Sequence, residues 1–169
     1  MSEETTTPEP ENLTILMLSG DLDKALGAFI IANGAAAMDT KVTMFFTFWG
    51  MNVIRKENPP KVKKDFMSKM FGWMMPCGPG KLGLSKMNMG GMGTSMMKGV
   101  MKKKNVMNLP QLIALAQAEP NIEMIACEMS MDVMGIKKEE LIDGIELAGV
   151  GSFVGSVTAP NSKGTISFT

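Results

Sequence analysis

The sequence of 169 residues contains no histidine and no tyrosine, and only two cysteines, Cys77 and Cys127. Histidine is the base of Ser-His-Asp triads and Cys-His dyads and a frequent zinc ligand, so its absence excludes these sites within a single chain. Two thiols are also too few for a four-thiolate zinc site without a second chain. We therefore predict no zinc site and no histidine-dependent nucleophile.

The sequence also lacks a disulfide framework and a long apolar run. Residues 1–11 are acidic and rich in proline and threonine, and they have no apolar stretch of the kind found in a signal peptide. No run of about 18 apolar residues is present to cross a membrane. We predict a cytoplasmic protein with a disordered tail at 1–11 and a single domain at 12–169.

Acidic residues are almost absent from one stretch, 61–107, which we call the Met/Lys segment. It contains ten lysines and one acid, Asp65, a net charge of +9 in a chain that is neutral overall, and 11 of the 20 methionines. One interpretation is an ordered insertion whose methionines pack against the domain or a sister subunit. The other is a mobile lid or contact arm that meets a partner protein or a membrane.

Outside this segment, short apolar runs alternate with helical patterns. Strands are predicted at 13–18, 42–48, 122–126, 145–147 and 164–169, and helices at 22–38, 112–118, 138–142 and 151–158. Within the segment we predict helices at 61–73 and 94–104 around a Pro/Gly-rich loop, the first with an apolar face of Val62, Phe66, Met70 and Trp73. Alternating strands and helices are typical of an α/β fold with a mostly parallel sheet.

Cys127 stands where the third predicted strand ends and a helix begins. Because α/β folds keep their chemistry at the carboxyl edge of the sheet, this thiol is a candidate nucleophile, and a helix N-terminus favours its thiolate. The negative charges of Glu128 and Asp132 oppose that effect. The alternative is that Cys127 is a small buried apolar residue.

Cys77 lies in the sequence MPCGPG, which predicts an exposed loop. The surrounding lysines, such as Lys81, favour a thiolate. Cys77 is either a solvent-exposed bystander or a second redox or sulfur-carrying thiol that reaches Cys127. The two cysteines do not form a CxxC pair, which excludes a thioredoxin-type motif.

Cofactor-binding patterns are missing as well. The first strand is followed by Ser19-Gly20-Asp21 instead of GxGxxG, and Asp21 and Asp23 would repel a pyrophosphate. There is no Walker A pattern, and the basic segment has few aromatic residues on which bases of a nucleic acid could stack. Five methionines between 87 and 97 come at short spacing, but no histidine stands beside them and the glycines among them are irregularly spaced, which argues against copper. We predict no cofactor, no metal ion and no nucleic-acid partner.

Five stretches together resemble the DsrE/DsrF-like sulfur-relay family, in particular its DsrE-like or peroxiredoxin-like branch. They are LTILMLSGDLDKA, FFTFWGMN, MPCGPGKLGLSKMNMGGMG, ACEMSMDVMGI and IDGIELAGVGSFV, within residues 13–168. The resemblance implies a flavodoxin-like fold and a homo-oligomer. It also implies a sulfur carrier that accepts sulfane sulfur as a cysteine persulfide and passes it to a partner such as a rhodanese-like or TusA-like carrier. The family's strand-end and loop cysteines correspond to Cys127 and Cys77.

Residues at the carboxyl ends of neighbouring strands are predicted to form the pocket. Ser19, Gly20, Trp49 and Ser130 would line it, and backbone N–H groups at the helix starts near Asp21 and Ser130 would hold anionic sulfur. Cys127 would attack the donor, and Cys77 would relay the sulfur or resolve the persulfide. Such a carrier acts as a co-substrate and need not be an enzyme.

Two other functions stay open from the sequence alone. The first is a non-catalytic module that docks on a protein partner or an anionic membrane through the Met/Lys segment, which would make the protein peripherally membrane-associated. The second, on fold analogy alone, is a small nucleotide- or flavin-binding oxidoreductase.

Overall fold

The computed structural model of the protein describes residues 10–64 and 66–169. One sheet contains five strands: β1 (Asn12–Met17), β2 (Lys41–Phe46), β3 (Ile122–Cys127), β4 (Ile145–Ala148) and β5 (Ser162–Phe168). Their order is β4-β3-β2-β1-β5, and each pairing between neighbours is parallel. The predicted flavodoxin-like α/β class is therefore confirmed, with β5 at an edge. The predicted disordered tail falls largely on residues 1–9, which lie outside the described residues.

Six α-helices are found among the described residues: α1 (Leu22–Ala36), α2 (Phe66–Met74), α3 (Met92–Lys103), α4 (Leu109–Ala118), α5 (Glu128–Met134) and α6 (Val150–Thr158). A 3₁₀ segment, Phe48–Ile54, follows β2. It ends the strand two residues earlier than predicted because Phe48 adopts a positive φ of 45°, which an extended strand does not allow. No helix in the described ranges is both long and apolar enough to cross a bilayer.

The two faces of the sheet are covered differently. The chain winds from β1 to β4 in one direction and then returns to β5 on the far side of β1. Because parallel crossovers are right-handed, this reversal places α6 on the face opposite α1 and α4. The larger core lies under α1 and α4 and includes the Phe29 and Phe46 rings, 6.1 Å apart. A smaller cluster of Phe45, Ile125 and Cys127 lies on the other face.

Helix α6 is attached to its face of the sheet by two kinds of contact. The Phe153 ring lies 5.4 Å from the Phe45 ring. Ser156 Oγ lies 2.7 Å from Thr14 Oγ1 and accepts a hydrogen bond of 2.8 Å from Asn12 Nδ2. None of the residues of α6 is fully buried, so these few contacts account for its position above the smaller cluster.

The Met/Lys segment is tied to the domain at several points. Asp23 accepts hydrogen bonds from the backbone N–H and the hydroxyl of Ser85, at 2.8 and 2.6 Å. The Leu22 N–H donates to the Gly83 carbonyl at 2.7 Å. Leu82 is buried in the main core. The loop between α2 and α3 is therefore held against the start of α1.

Candidate functional site

A pocket of about 330 Å³ opens at the carboxyl ends of β1 and β5. Its lining consists of Leu18, Ser19, Gly20, Asp21, Trp49, Asn52, Pro76 and Thr169. The pocket thus brings together four of the residues that the sequence predicted for it: Ser19, Gly20, Asp21 and Trp49. It lies where the winding of the sheet reverses, the position at which open α/β sheets bind ligands.

Two glycines bring Trp49 to this pocket. A Cβ at Gly20 would lie 2.8 Å from the Trp49 carbonyl oxygen, and one at Gly50 would lie 2.1 Å from the Met17 carbonyl oxygen. Real Cβ atoms do not approach a carbonyl so closely, so only glycine lets the 3₁₀ segment dock against the end of β1. Trp49 then stands at the pocket with 53% of its surface exposed.

Ser19 and Asp21 hydrogen-bond to each other. The Ser19 hydroxyl donates to Asp21 Oδ2 at 2.8 Å, and the Asp21 N–H donates to Ser19 Oγ at 3.1 Å. Lys24 Nζ lies 3.1 Å from the same carboxylate oxygen. The Asp21 N–H already has an acceptor, and the predicted role of this group in holding anionic sulfur is therefore not supported.

Asn52 is a pocket residue that the sequence did not reveal. It is 2% exposed, and its Oδ1 has no hydrogen-bond partner among the described residues. Its Nδ2 would lie 3.6 Å from a Cβ placed on Gly20. A signal for it was available: Asn52 follows Trp49 by three residues, and residues so spaced in a 3₁₀ helix lie on the same side. An unmet buried acceptor costs about 1–3 kcal/mol unless a ligand donates a hydrogen bond to it, and the Nδ2 group of the same amide can itself donate to a ligand.

Cys77 lies beside the pocket. The preceding residue, Pro76, lines the pocket, and Cys77 itself is half-buried, with Sγ 3.8 Å from the Met75 carbonyl oxygen. Its loop is held by Glu57, whose Oε1 accepts a hydrogen bond of 3.1 Å from the Gly80 N–H. Gly78 is required there, since its φ is 86° and a Cβ would lie 2.7 Å from Glu57 Cγ. The loop therefore has a defined position next to the pocket.

Cys127 occupies a different environment. It ends β3 and precedes α5, as predicted, but it is only 3% exposed and packs with Phe45 and Ile125. Phe153 of α6 packs against the same cluster. Because β2 separates β3 from β1, Cys127 lies two strand spacings, about 10 Å, from the β1 end of the sheet. Its side chain resembles the buried apolar alternative more than an open nucleophile.

Ser130 is also absent from the pocket lining. It is fully buried, and its Oγ lies 2.6 Å from Thr47 Oγ1. This hydrogen bond joins the end of β2 to α5. The structure therefore gathers Ser19, Gly20, Asp21 and Trp49 with the Cys77 loop, and it does not bring Cys127 or Ser130 to the same pocket.

A larger groove, of about 730 Å³, lies on the other side of the Cys77 loop, between α1, α3 and the start of α4. Its lining includes Pro79 and Gly80 of the loop and two lysines, Lys98 and Lys102. Most of the remaining lining is apolar and none of it is acidic, so the groove is complementary to an apolar segment that carries negative charge.

A parallel α/β fold with one thiol beside a carboxyl-edge pocket and another at a strand end defines a thiol-bearing protein of the flavodoxin-like class. The chain belongs to the DsrE/DsrF/DrsH-like family, whose sequence model matches residues 9–163. The resemblance predicted from the sequence is confirmed.

Two relatives cover most of the chain. The uncharacterized protein YrkE of Bacillus subtilis is 55% identical over 148 residues, which span 88% of this chain and 92% of that protein. The sulfur carrier protein DsrE2 of Allochromatium vinosum is 40% identical over 149 residues, 86% of this chain and 91% of that protein.

Two solved structures share the fold. The YchN protein of Escherichia coli superposes with a TM-score of 0.56 at 10% identity, covering 94% of this chain and 99% of that chain. Protein MTH1491 of Methanobacterium thermoautotrophicum gives a TM-score of 0.51 at 13% identity, with the same coverage of 94% and 99%. At such low identity these likenesses show the fold alone.

Proposed function

We propose that the protein is a sulfur carrier that holds sulfane sulfur as a cysteine persulfide and transfers it to a partner thiol. Membership of the DsrE/DsrF/DrsH-like family and 40% identity to a protein named as a sulfur carrier support this role. The structural observation that carries the proposal is the position of the Cys77 loop beside the carboxyl-edge pocket that contains Asn52.

The transfer step needs only a thiolate and a persulfide. The thiolate of the carrier attacks the outer sulfur of a donor persulfide, a new S–S bond forms, and the donor S–S bond breaks. The donor leaves as a thiolate, and the carrier now bears the sulfane sulfur. Because one S–S bond replaces another, no oxidant or reductant is consumed. Attack by an acceptor thiolate on the carrier persulfide repeats the same exchange.

Accessibility supports Cys77 as the thiol that meets donors and acceptors. Cys77 is half-buried on a loop, whereas Cys127 is 3% exposed beneath α6. Thiol exchange requires access of the attacking sulfur, so a partner reaches Cys77 first. This order reverses the one predicted from the sequence, and Cys127 would enter a relay only after α6 moves.

The surroundings of Cys77 suit a negatively charged persulfide and a protein partner. Asn52 offers an amide in the pocket beside the loop, and an amide N–H stabilises a sulfur anion by hydrogen bonding. Lys98 and Lys102 line the groove on the other side of the loop, where a rhodanese-like or TusA-like donor with an acidic contact segment would dock. A homo-oligomer stays a prediction.

The test is intact-protein mass spectrometry after incubation with polysulfide. Wild type, Cys77→Ser and Cys127→Ser are compared side by side. We expect wild type and Cys127→Ser to gain the mass of one or more sulfur atoms that reductant removes, and Cys77→Ser to lose most of this gain. If loading required Cys127 and not Cys77, Cys127 would be the thiol that receives sulfur from the donor. No added sulfur on any form would refute the carrier function.

A further inference from the structure

Most of the described large apolar side chains on the two helices of the Met/Lys segment point toward solvent. On α2, Phe66 is 79% exposed and Trp73 is 87% exposed. Met70 and Met74 on the same face are also exposed. The apolar face that the sequence predicted for this helix therefore exists in its α-helical part, but it points away from the core. An amphipathic helix of a globular protein normally points such a face inward.

Among the described side chains of α2 and α3, the buried and half-buried ones are mostly small, although Met101 of α3 also packs against the main core. Ser68 and Gly72 are half-buried on α2, and Gly93 and Thr94 are buried on α3. A Cβ at Gly135 would lie 2.3 Å from the side chain of Ser68, and one at Gly93 would lie 1.9 Å from the Met87 carbonyl oxygen. Close packing of α2 on the Ser68 side thus leaves Phe66, Met70 and Trp73 outward, whereas Gly93 packs against the loop that precedes α3.

Helix α3 repeats this arrangement with methionine. Met92, Met96 and Val100, spaced four residues apart on one face, are 66%, 61% and 50% exposed. Of the ten methionines in the Met/Lys segment whose side chains the structure describes, eight are exposed. The interpretation that these methionines pack against their own domain is therefore wrong for those eight, whereas packing against a sister subunit stays a prediction. A contiguous run of large exposed apolar residues marks an interaction surface.

The charge of the same segment limits what binds there. The segment contains ten lysines and one acid, Asp65, in its sequence. Lys69, Lys86 and Lys103 are among the exposed lysines. From residue 66 to residue 107 the sequence contains no acidic residue. A surface of this sign is complementary to a negatively charged partner.

We propose that α2 and α3 dock on an anionic lipid bilayer. Phe66, Trp73 and the exposed methionines would enter the boundary between headgroups and acyl chains, and the lysines would contact lipid phosphates. Exposed tryptophan and phenylalanine together with lysine are typical of segments that lie in a membrane surface. Protein–protein interfaces are depleted in lysine, so an acidic protein fits this surface less well. This docking is independent of the thiol chemistry proposed above.

Vesicle flotation tests the proposal. Full-length protein is mixed with vesicles of phosphatidylglycerol and phosphatidylcholine, or of phosphatidylcholine alone, at low and physiological salt. We expect flotation with the anionic vesicles only, weakened by salt because exposed charges are screened. A protein carrying Phe66→Ser and Trp73→Ser should remain at the bottom of the gradient.

Matched variants separate this surface from the rest of the protein. Met38→Ser replaces a methionine that is 80% exposed outside the segment, and it should float like wild type. Lys103→Glu and Lys104→Glu together should weaken partitioning by at least about fivefold for each lysine, whereas Lys138→Glu, an exposed lysine outside the segment, should have a smaller effect. Cys77→Ser and Cys127→Ser should float normally, whatever their sulfur loading.

Tryptophan emission gives a second readout, because the protein has only two tryptophans. Trp49→Phe leaves Trp73 as the sole emitter, and its spectrum should shift to the blue when anionic vesicles are added. Trp73→Ser leaves Trp49, whose spectrum should not change. Equal flotation of the Phe66/Trp73 variant, or equal binding to uncharged vesicles, would overturn the proposal. Salt-sensitive binding to polyglutamate without vesicle binding would assign the surface to an acidic protein instead.

Discussion

Arg55 Nη2 donates a hydrogen bond to Glu140 Oε1 across 3.1 Å, and the two side chains are only 1% and 4% exposed. Lys64 Nζ contacts the other carboxylate oxygen of Glu140. Arg55 follows the 3₁₀ segment that carries Trp49 and Asn52, and Lys64 lies in the Met/Lys segment just before α2. One buried carboxylate thus joins the wall of the pocket to the base of the proposed membrane surface.

We predict that Glu140→Gln lowers the free energy of unfolding by about 3–5 kcal/mol, because it leaves the buried Arg55 guanidinium without a countercharge. Denaturation by urea, followed by circular dichroism, measures the change. Glu139→Gln is the control, since Glu139 is the exposed neighbour and its replacement should stay within about 0.5 kcal/mol of wild type. Equal losses in the two variants would contradict the role of the buried pair.

The same carboxylate predicts a dependence on pH. Burial alone would raise the pKa of Glu140, but hydrogen bonds from Lys64 and the Lys137 N–H, with the charges of Lys64 and Arg55, lower it below its ordinary value. A carboxyl with a lower pKa in the folded state stabilises the protein fully above its unfolded-state pKa, and this contribution is lost as the pH falls through the folded-state pKa. The difference in stability between wild type and Glu140→Gln should therefore be constant near neutrality and shrink below about pH 4.

The cover of Cys127 gives a second prediction. In a Cys77→Ser background, Phe153→Ala should increase the rate of Cys127 alkylation by about tenfold or more, because a loss of about 1.4 kcal/mol in the packing of α6 raises its open population tenfold. Val154→Ala, on the exposed side of the same helix, should change the rate little. Quenched labelling with mass spectrometry measures both rates. Equal rates would mean that α6 does not control access to this thiol.

Asn52 allows stability and function to be separated. Asn52→Leu removes a buried amide whose Oδ1 has no partner among the described residues, so the melting temperature should stay equal or rise while sulfur loading slows. Asn33→Leu is the matched contrast. The Oδ1 of Asn33 is also unpartnered, but its Nδ2 donates to the Phe29 and Leu112 carbonyls at 2.8 and 3.1 Å.

Asn33→Leu should therefore lose about 1–3 kcal/mol of stability and leave loading unchanged per folded molecule. Calorimetry gives the melting temperatures, and mass spectrometry gives the loading rates. A strong loss of stability in Asn52→Leu would show that Asn52 supports the fold and has no separate binding role.

Gly50 provides the fourth prediction. Gly50→Ala should cost at least about 1–3 kcal/mol, because the new Cβ would overlap the Met17 carbonyl and push the 3₁₀ segment away from β1. Gly34→Ala, on α1 with no atom within 4 Å of the new Cβ, should stabilise the protein by about 0.5–1 kcal/mol. Urea titration tests both, and Trp49 emission should change only in the first. The prediction holds only if Gly50→Ala lowers the free energy of unfolding and Gly34→Ala raises it.

Much of the pocket was predictable because strand ends are predictable. Apolar runs located β1, β2 and β3, and parallel neighbours must bring their carboxyl ends to one edge, which placed Ser19 and Trp49 together. The prediction for Cys127 left out the alternation of side chains along β3. Met124 and Ala126 face the main core, so Cys127, like Ile125, faces the opposite side beneath α6.

The orientation of α2 could not be read from its pattern. The spacing of Phe66, Met70 and Trp73 shows that these side chains share a face, but it does not show whether that face meets the core or the solvent. Here the close approach of Ser68 to Gly135 decides the matter, and that contact depends on the folded positions of α2 and α5. Asn52 was not predicted as a pocket residue for a similar reason. The absence of a hydrogen-bond partner for its Oδ1 among the described residues depends on how the pocket packs.

The pairing of β1 with β5 has a consequence for biosynthesis. Asn12 pairs with Ser162, and the backbone N–H groups of Leu18 and Ser19 both donate to the Phe168 carbonyl. A nascent chain on the ribosome therefore presents β1 with one side unpaired until β5 has been translated. Since contacts so distant in sequence form late, the Ser19 wall of the pocket is completed only then. Sulfur loading by the proposed carrier would therefore require β5, and it would not begin while only the earlier strands are present.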